Sequence, residues 1–463
     1  MARQRTATVA RPPADSPRRS AAPGTDVDVD VDVTTFTPGD YALHWDAGLG
    51  AFRHQYDRDL QMVALWSGAR HREAEILDIL RERFHVLAEI EVRWSPDRVV
   101  TNFERLYGQG LWGTSPKHLE VGAGPFLLLV LEDPEPRYAY RQNVSGYVEP
   151  TNVHVAQAKA AARRLAGGYT VHSSNNLREF FRDTTLLLGP DRLDEVLARD
   201  PHVSPARETL EADLVGDAGW TDLDELAALL RRAGEYVVLR NFEGLPGVLA
   251  DDPEIDVLAR DQTDFAALLG ARPLDHDGTG ARFGTTVGGA PVAFDVRWVG
   301  DGYLDVRWQD DLLRRRTWTP EGLAVPRADD HLFSLLYHAK VQKPAVKPAY
   351  VPRLGALARD LDLPAALADD ITTDDVAARV LDGFLSGHGY TVPRTADRGV
   401  HRNDAFVAAL RLTTVEPTAV DRARSELVAA ARASRAGELA ARVGARAARL
   451  PRRARAGGGG GAA

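Results

Sequence analysis

Between Leu60 and Gly189, strand-like and helix-like patterns follow one another in an order that constrains the fold more than any other feature of the chain. LQMVALWS (Leu60 to Ser67) reads as a strand. REAEILDILRERF (Arg72 to Phe84) reads as an amphipathic helix, with Ile76, Leu77, Leu80 and Phe84 at helical spacing. HVLAEIEVRW (His85 to Trp94) alternates like a strand, and GPFLLLVLED (Gly124 to Asp133) is a short, wholly apolar one. A helix follows over VAQAKAAARRLA (Val155 to Ala166), then YTVHSSNN (Tyr169 to Asn176), then the amphipathic helix LREFFRDTTLLLG (Leu177 to Gly189). The order β-α-β-(helices)-β-α-β-α predicts an α/β sandwich of split-βαβ type.

The chain has 463 residues, 44% hydrophobic and 27% charged, which leaves room for two or three domains with cores of their own. It has no cysteine, which excludes disulfides and thiolate metal sites. The net charge of -9 argues against nucleic acid as a partner. No apolar run approaches the length of a spanning helix, and the N-terminal stretch lacks an apolar signal core, so a cytoplasmic protein is expected. The expected organisation is a disordered tail over 1–40, including the DVDVDVDV run (Asp26 to Val33), and a first domain over 41–197. A polar linker over 198–220, with Pro201 and Pro205, leads to a second domain over 221–325 and a helical subdomain over 326–400. An Ala/Arg-rich tail over 401–463 ends in glycines.

The second domain opens on a helix over Thr221 to Gly234, with Thr221 as the expected N-cap. A strand over Glu235 to Phe242 follows, and then PEIDVLA (Pro253 to Ala259). A hairpin is expected from VAFDVRW (Val292 to Trp298) and YLDVRW (Tyr303 to Trp308), joined by Val299-Gly300-Asp301-Gly302. Residues i and i+2 of a strand share a face, so Glu254 and Asp256 project together. Two such carboxylates, completed by a third from a neighbouring strand, suit one or two Mg²⁺ ions that align a nucleoside triphosphate. Asp295 is the natural third ligand and Asp305 the alternative.

VVLRNFEGLP, EIDVL, FDVRWVGDGYLDVRW and VPRADDHLFSLLYHAKVQK together resemble the nucleotidyltransferase superfamily, over roughly Tyr236 to Leu357. The resemblance implies a mixed-sheet domain with a helical C-terminal extension. It implies Glu254, Asp256 and Asp295 as catalytic metal ligands, and nucleotide contacts from Tyr337, His338, Lys340 and Lys343. The glycine turn usual in that superfamily is replaced by Leu239-Arg240-Asn241, with Arg240 as the substitute phosphate ligand.

VHSSNNLREFFRD resembles the nucleoside-diphosphate-kinase signature, and the likeness extends in element order over about Leu60 to Leu188. It implies a ferredoxin-like domain in which His172 is the phosphorylated nucleophile, Ser174 the signature serine and Asp183 the acid that orients the imidazole. Arg141, Thr151 and Arg163 fall near phosphate-contact positions. The family's phosphate-binding lysine corresponds to Trp66, with Lys159 or Arg141 as substitutes, and the glycine after the histidine is Ser173. Gly108, Gly110 and Gly113 read as a turn-rich insertion.

The expected function is a Mg²⁺-dependent nucleotidyltransferase that uses a nucleoside triphosphate to modify an unidentified acceptor through Glu254, Asp256 and Asp295. Two other readings stay open: a phosphotransferase acting through phosphohistidine at His172, and a catalytically degenerate nucleotide-binding or assembly protein. A homo-oligomer is compatible with each.

Overall fold

The computed structural model describes residues 58–108, 117–142, 148–274, 282–395, 397, 399–411 and 414–415. The 1–40 tail, the DVDVDVDV run, Gly110, Gly113 and the tail beyond 415 lie outside the described residues. The chain forms a mixed α/β protein with two mixed five-stranded sheets and a helical C-terminal region.

The first sheet is built from β1 (Leu60–Leu65), β2 (His85–Arg93), β3 (Phe126–Glu132), β6 (Val171–Ser173) and β7 (Arg207–Glu211), in the order β6-β1-β3-β2-β7. Strand β3 runs antiparallel between β1 and β2, β6 pairs antiparallel with β1, and β7 pairs parallel with β2. Around it lie α1 (Glu73–Arg81), α2 (Val99–Leu106), α3 (Lys117–Val121), α4 (Val153–Ala166), α5 (Leu177–Leu188) and α6 (Pro190–Leu197). A separate hairpin is formed by β4 (Tyr138–Gln142) and β5 (Val148–Asn152). The uniform apolarity of GPFLLLVLED follows from burial on both faces. Leu127, Leu129 and Leu131 pack with Ile76, Leu77, Leu80, Val155 and Ala158, whereas Phe126, Leu128 and Val130 join the cluster of Phe103, Phe180 and Phe181.

The second sheet follows α7 (Leu223–Ala233). It comprises β8 (Tyr236–Val238), β9 (Glu254–Ala259), β10 (Arg272–Pro273), β11 (Arg282–Val287) and β12 (Ala290–Trp298), with α8 (Gln262–Leu269) after β9. Its order is β10-β11-β12-β9-β8; β9 and β12 run parallel and the other pairs antiparallel. A helical layer of α9 (Val306–Arg315), α10 (Ala328–Val341), α11 (Tyr350–Asp360), α12 (Ala365–Asp369), α13 (Asp374–His388) and α14 (Asp404–Ala409) closes the chain's described part. Among the described residues, no helix is long and apolar enough to cross a membrane.

Three local expectations change. The N-cap of α7 is Asp222, whose side chain accepts from Glu225 N at 2.8 Å, while Glu225 returns to Thr221 N at 2.7 Å. This is the reciprocal capping arrangement, placed one residue later than Thr221. The expected hairpin partner YLDVRW is not a strand. Asp305 caps α9 by accepting from Arg307 N at 2.8 Å, and Leu304, Trp308 and Leu312 bury at four-residue spacing. Six residues of alternation lose to a longer helical period. The polar connection over 198–220 contains β7, whose charged residues are those of an edge strand. Arg207 pairs with Glu73 and Glu89, and Glu208 with Arg192 and Arg199.

One apolar cluster is continuous from Met62 and Phe126 on the first sheet, through Phe181 and Leu226, to Ile255 and Phe294 on the second. A polar tie accompanies it. Arg105 of α2 donates to the carbonyls of Ala267 and Leu268 at 2.7 and 2.9 Å, in the last turn of α8. Gly270 ends that helix at φ 62°, where a Cβ would sit 3.1 Å from Gly216 O and 3.2 Å from the Arg105 guanidinium carbon.

Candidate functional site

Strand β6 is only three residues long, and alternation turns Val171 to one face of the sheet and His172 to the other. Ser174 fastens the end of the strand to β1: its Oγ accepts from Met62 N at 2.9 Å and donates to Gln61 Oε1 at 3.0 Å. It is fully buried and holds backbone; it does not touch the imidazole. Helix α5 then starts on Asn176, whose side chain accepts from Glu179 N at 3.1 Å, while Glu179 accepts from Asn175 N at 2.7 Å. Glu179 and Asp183, one turn apart, therefore face β6 together.

His172 Nε2 lies 3.1 Å from Asp183 Oδ2. Among the described residues, Nδ1 of His172 makes no protein hydrogen bond. The other oxygen of Asp183 accepts from Arg182 Nε at 2.7 Å. The ring of Tyr107 stands edge-on to the imidazole at 5.1 Å, and that of Trp66 stacks at 6.4 Å. Burial holds the Tyr107 phenol far above its ordinary value, so it is a neutral hydroxyl, accepting from Trp66 Nε1 at 3.1 Å. Trp66, where the kinase resemblance places a lysine, is a core residue packed on Phe103 and Phe126 at 4.8 and 4.6 Å. Cations stand nearby instead. Lys117 Nζ is 5.6 and 5.2 Å from the rings of Tyr107 and Tyr169, and the Arg163 guanidinium is 4.9 Å from Tyr169.

Arg163 also donates to Val171 O at 2.9 Å, and Lys159 to Asn175 Oδ1 at 3.2 Å, so both flank the histidine strand. Arg141 is exposed on β4 and Thr151 buried on β5; neither is a hydrogen-bond partner of His172 or Asp183. Tyr107, Lys117, Glu179 and Arg182 are additions to the residues expected. The four-residue spacing of Glu179 and Asp183 was readable in the sequence, whereas nothing near Tyr107 or Lys117 announces proximity to His172.

The second group of acids lies on the other sheet. Asp256 and Asp295 are register partners on the parallel strands β9 and β12, and Glu254 is two residues up from Asp256. Each carboxylate meets an arginine. Arg240 Nη2 donates to Asp256, Arg282 Nη2 is 2.9 Å from Glu254 Oε2, and Arg297 Nε is 3.3 Å from Asp295 Oδ1. Burial raises the Asp256 pKa, Arg240 opposes that shift, and Asp295 and Glu254 add to it. Arg240 sits in the turn after β8, and the next residue, Asn241, has φ 62°, the left-handed conformation that asparagine tolerates best after glycine. Arg240 Nη1 also donates to Tyr303 Oη at 3.2 Å, and that oxygen is 3.0 Å from His338 Nδ1. His338 is pushed down to about 2, first by burial and then by Arg240, Lys343 and Lys347.

Lys343 is half-buried beyond the end of α10 and bears on the same region. Tyr337 is not part of it: the ring is 2% exposed and packs edge-on against Trp308 at 5.8 Å. Lys340 points away too, donating to Thr372 O at 3.0 Å and pairing with Asp374. Asp305, the alternative third acid, is consumed as a cap and accepts from Thr391 N and Oγ1 at 2.8 and 2.5 Å.

Among the described residues, one group of three His, Asp and Glu side chains has ligand atoms all within 4.8 Å of one another: His172, Glu179 and Asp183. Its fit to a divalent cation is poor, because Arg182 already lies 2.7 Å from Asp183 and 3.7 Å from Glu179. Glu254, Asp256 and Asp295 do not form such a group, and their charge is matched by arginines, so as arranged they do not present a Mg²⁺ cage. Comparison of the chain with protein-family models, with curated proteins and with solved structures gives no match in any of the three.

Proposed function

We propose that the protein is a phosphotransferase that takes a phosphoryl group from a nucleoside triphosphate onto Nδ1 of His172. The observation that carries this reading is the division of labour on the imidazole: Asp183 engages Nε2 while Nδ1, among the described residues, makes no protein hydrogen bond. If Nε2 bears the hydrogen that Asp183 accepts, Nδ1 bears the lone pair. That lone pair attacks the γ-phosphorus as the bond to the bridging oxygen breaks, and the nucleoside diphosphate leaves with the electron pair. The Nε2 hydrogen stays in its bond to Asp183, which offsets the charge gained by the ring. Lys117 and Arg163 are the cations placed to meet phosphate oxygens. Mg²⁺ enters on this reading as the counter-ion of the nucleotide, and the acceptor is a small molecule or protein.

The strand order β6-β1-β3-β2, with β3 antiparallel between β1 and β2, supports a ferredoxin-like, nucleoside-diphosphate-kinase-like first domain. The register of Asp256 with Asp295 supports a nucleotidyltransferase-type second domain and favours a second reading, nucleotidyl transfer. That reading requires Arg240 to leave Asp256. Incubation with γ-labelled and α-labelled ATP and Mg²⁺ separates the two. Acid-labile γ-label that disappears in His172→Ala supports the proposal. Transfer of α-label, lost in Asp256→Ala, supports the second reading. Movement of neither label, with nucleotide still raising the melting temperature, overturns both in favour of a nucleotide-binding role without catalysis.

A further inference from the structure

The acid that orients His172 does not end the chain of charges. Arg182, bound to Asp183 through Nε, extends its Nη1 to Asp264 Oδ1 at 2.5 Å. Asp264 belongs to α8, on the other sheet, and its second oxygen is 3.2 Å from Arg178 Nη1. The sequence Asp183, Arg182, Asp264, Arg178 thus alternates in sign and crosses from one sheet's helix to the other's. A small cavity lined in part by Arg178, Arg182, Asp261 and Asp264 lies against it.

We infer that Asp264 is a positioning residue for His172: by holding one arm of Arg182 it limits how strongly that arginine draws Asp183, and so sets the grip of Asp183 on the imidazole. The inference rests on the phosphohistidine reading for its purpose, but its geometry stands apart from it. With Asp264 present, Arg182 gives Nη1 to Asp264 and both Nε and Nη2 to one oxygen of Asp183. Without it, the guanidinium charge is answered on this side by Asp183 and Glu179 alone, which tightens its hold on Asp183. Burial pushes the Asp264 carboxyl up, and Arg182 and Arg178 together overcome this and leave it below the usual range, so it is charged at neutral pH. The titratable and charged groups around the ring are Tyr107 from α2, Arg163 from α4, and Glu179, Arg182 and Asp183 from α5, with Lys117 over Tyr107. Of these, Arg182 alone connects to the second sheet through the bonds given above.

The test uses the full chain and the pH profile of His172 carbethoxylation by diethylpyrocarbonate, read by peptide mass spectrometry. Asp264→Asn removes a negative charge and releases Arg182 towards Asp183, so the inflection for His172 is expected to fall by half a unit or more. Asp264→Glu is expected to restore it. Arg178→Gln removes the balancing cation and is expected to move the inflection upwards, opposite to Asp264→Asn; it also serves if Asp264→Asn fails to fold. Profiles of Asp264→Asn and Arg178→Gln that superpose on the wild type, or that move in the same direction, overturn the inference. Uptake of γ-label by the wild type is scored separately. A shifted profile without γ-label leaves the coupling standing and removes the phosphotransfer reading, while γ-label with an unshifted profile does the reverse.

Discussion

Around His172, two carboxylates on one helix face share an imidazole and one arginine, and among the described residues Nδ1 of the ring makes no protein hydrogen bond. Around Asp256, each of three carboxylates lies against an arginine. Both regions look acidic in the sequence, but their charges are answered differently. A group that reacts by donating a lone pair is best held at one end and open at the other, the arrangement on which the phosphohistidine reading rests. A group that binds a metal does so best with its charge uncompensated, whereas Asp256 is paired with Arg240.

The sharpest way to break this contrast is His172→Ala. On the proposed reading it lowers acid-labile γ-label by at least about a thousandfold, whereas Asp256→Ala leaves the label within about threefold. Equal losses in both would erase the distinction between the regions. Next in size, Arg240→Ala leaves Asp256 buried without its partner and is expected to cost about 3 kcal/mol in urea denaturation. The same variant exposes the acid set, so Mn²⁺ affinity, measured by electron paramagnetic resonance, should rise at least about tenfold. No gain in Mn²⁺ binding would mean that the arginine is not what keeps a cation out. Asp183→Asn keeps an acceptor for Nε2 but loses the charge, and labelling should fall about thirtyfold when scored on the folded fraction.

The smallest effects are pH slopes of opposite sign. In the first region burial pushes Asp59 up to about 6 from 3.8, against hydrogen bonds from Gln61, Tyr138 and Asn152. The folded state therefore binds the proton more readily than the unfolded chain, and stability contributed by this group falls as pH rises from about 4 to 6. Asp59→Asn should flatten that fall. In the second region His338 is lowered to about 2 and His331 to about 4, each from 6.5 and each chiefly by burial. There the unfolded chain takes the proton, so stability drops as pH falls below about 6.5. His338→Gln should remove up to about 1.4 kcal/mol per pH unit of that drop, followed by urea midpoints from pH 4 to 7.

The periodic signals that set the main elements were legible, and the kinase resemblance pointed to the His172–Asp183 pair, which joins a strand to the second turn of the helix after it. The strand positions of Glu254, Asp256 and Asp295 were legible for the same reason: alternation is local. What the sequence did not show is who answers each charge. Arg282 comes from β11, across β12 from Glu254, Arg240 from a turn, and Arg182 looks outward to Asp264, eighty-two residues on. Nor did it show that Tyr303, read as a strand residue, would present its hydroxyl to His338. Long-range pairing of side chains follows from topology, and a periodic pattern has no knowledge of it.

Strand β7 has a consequence for how this chain can be divided. The segment between the two sheets, though rich in charge and proline, completes the edge of the first sheet and then sends Leu214 and Trp220 into the shared apolar cluster. A cut at 197 would strip β2 of its neighbour; a cut at 220 would leave those two residues, and the helix faces they cover, open to water. Neither half is a transferable module. The histidine-bearing and acid-bearing halves have to be expressed and mutated as one object, and changes that a free-standing sheet of either kind would tolerate are constrained here by the other half.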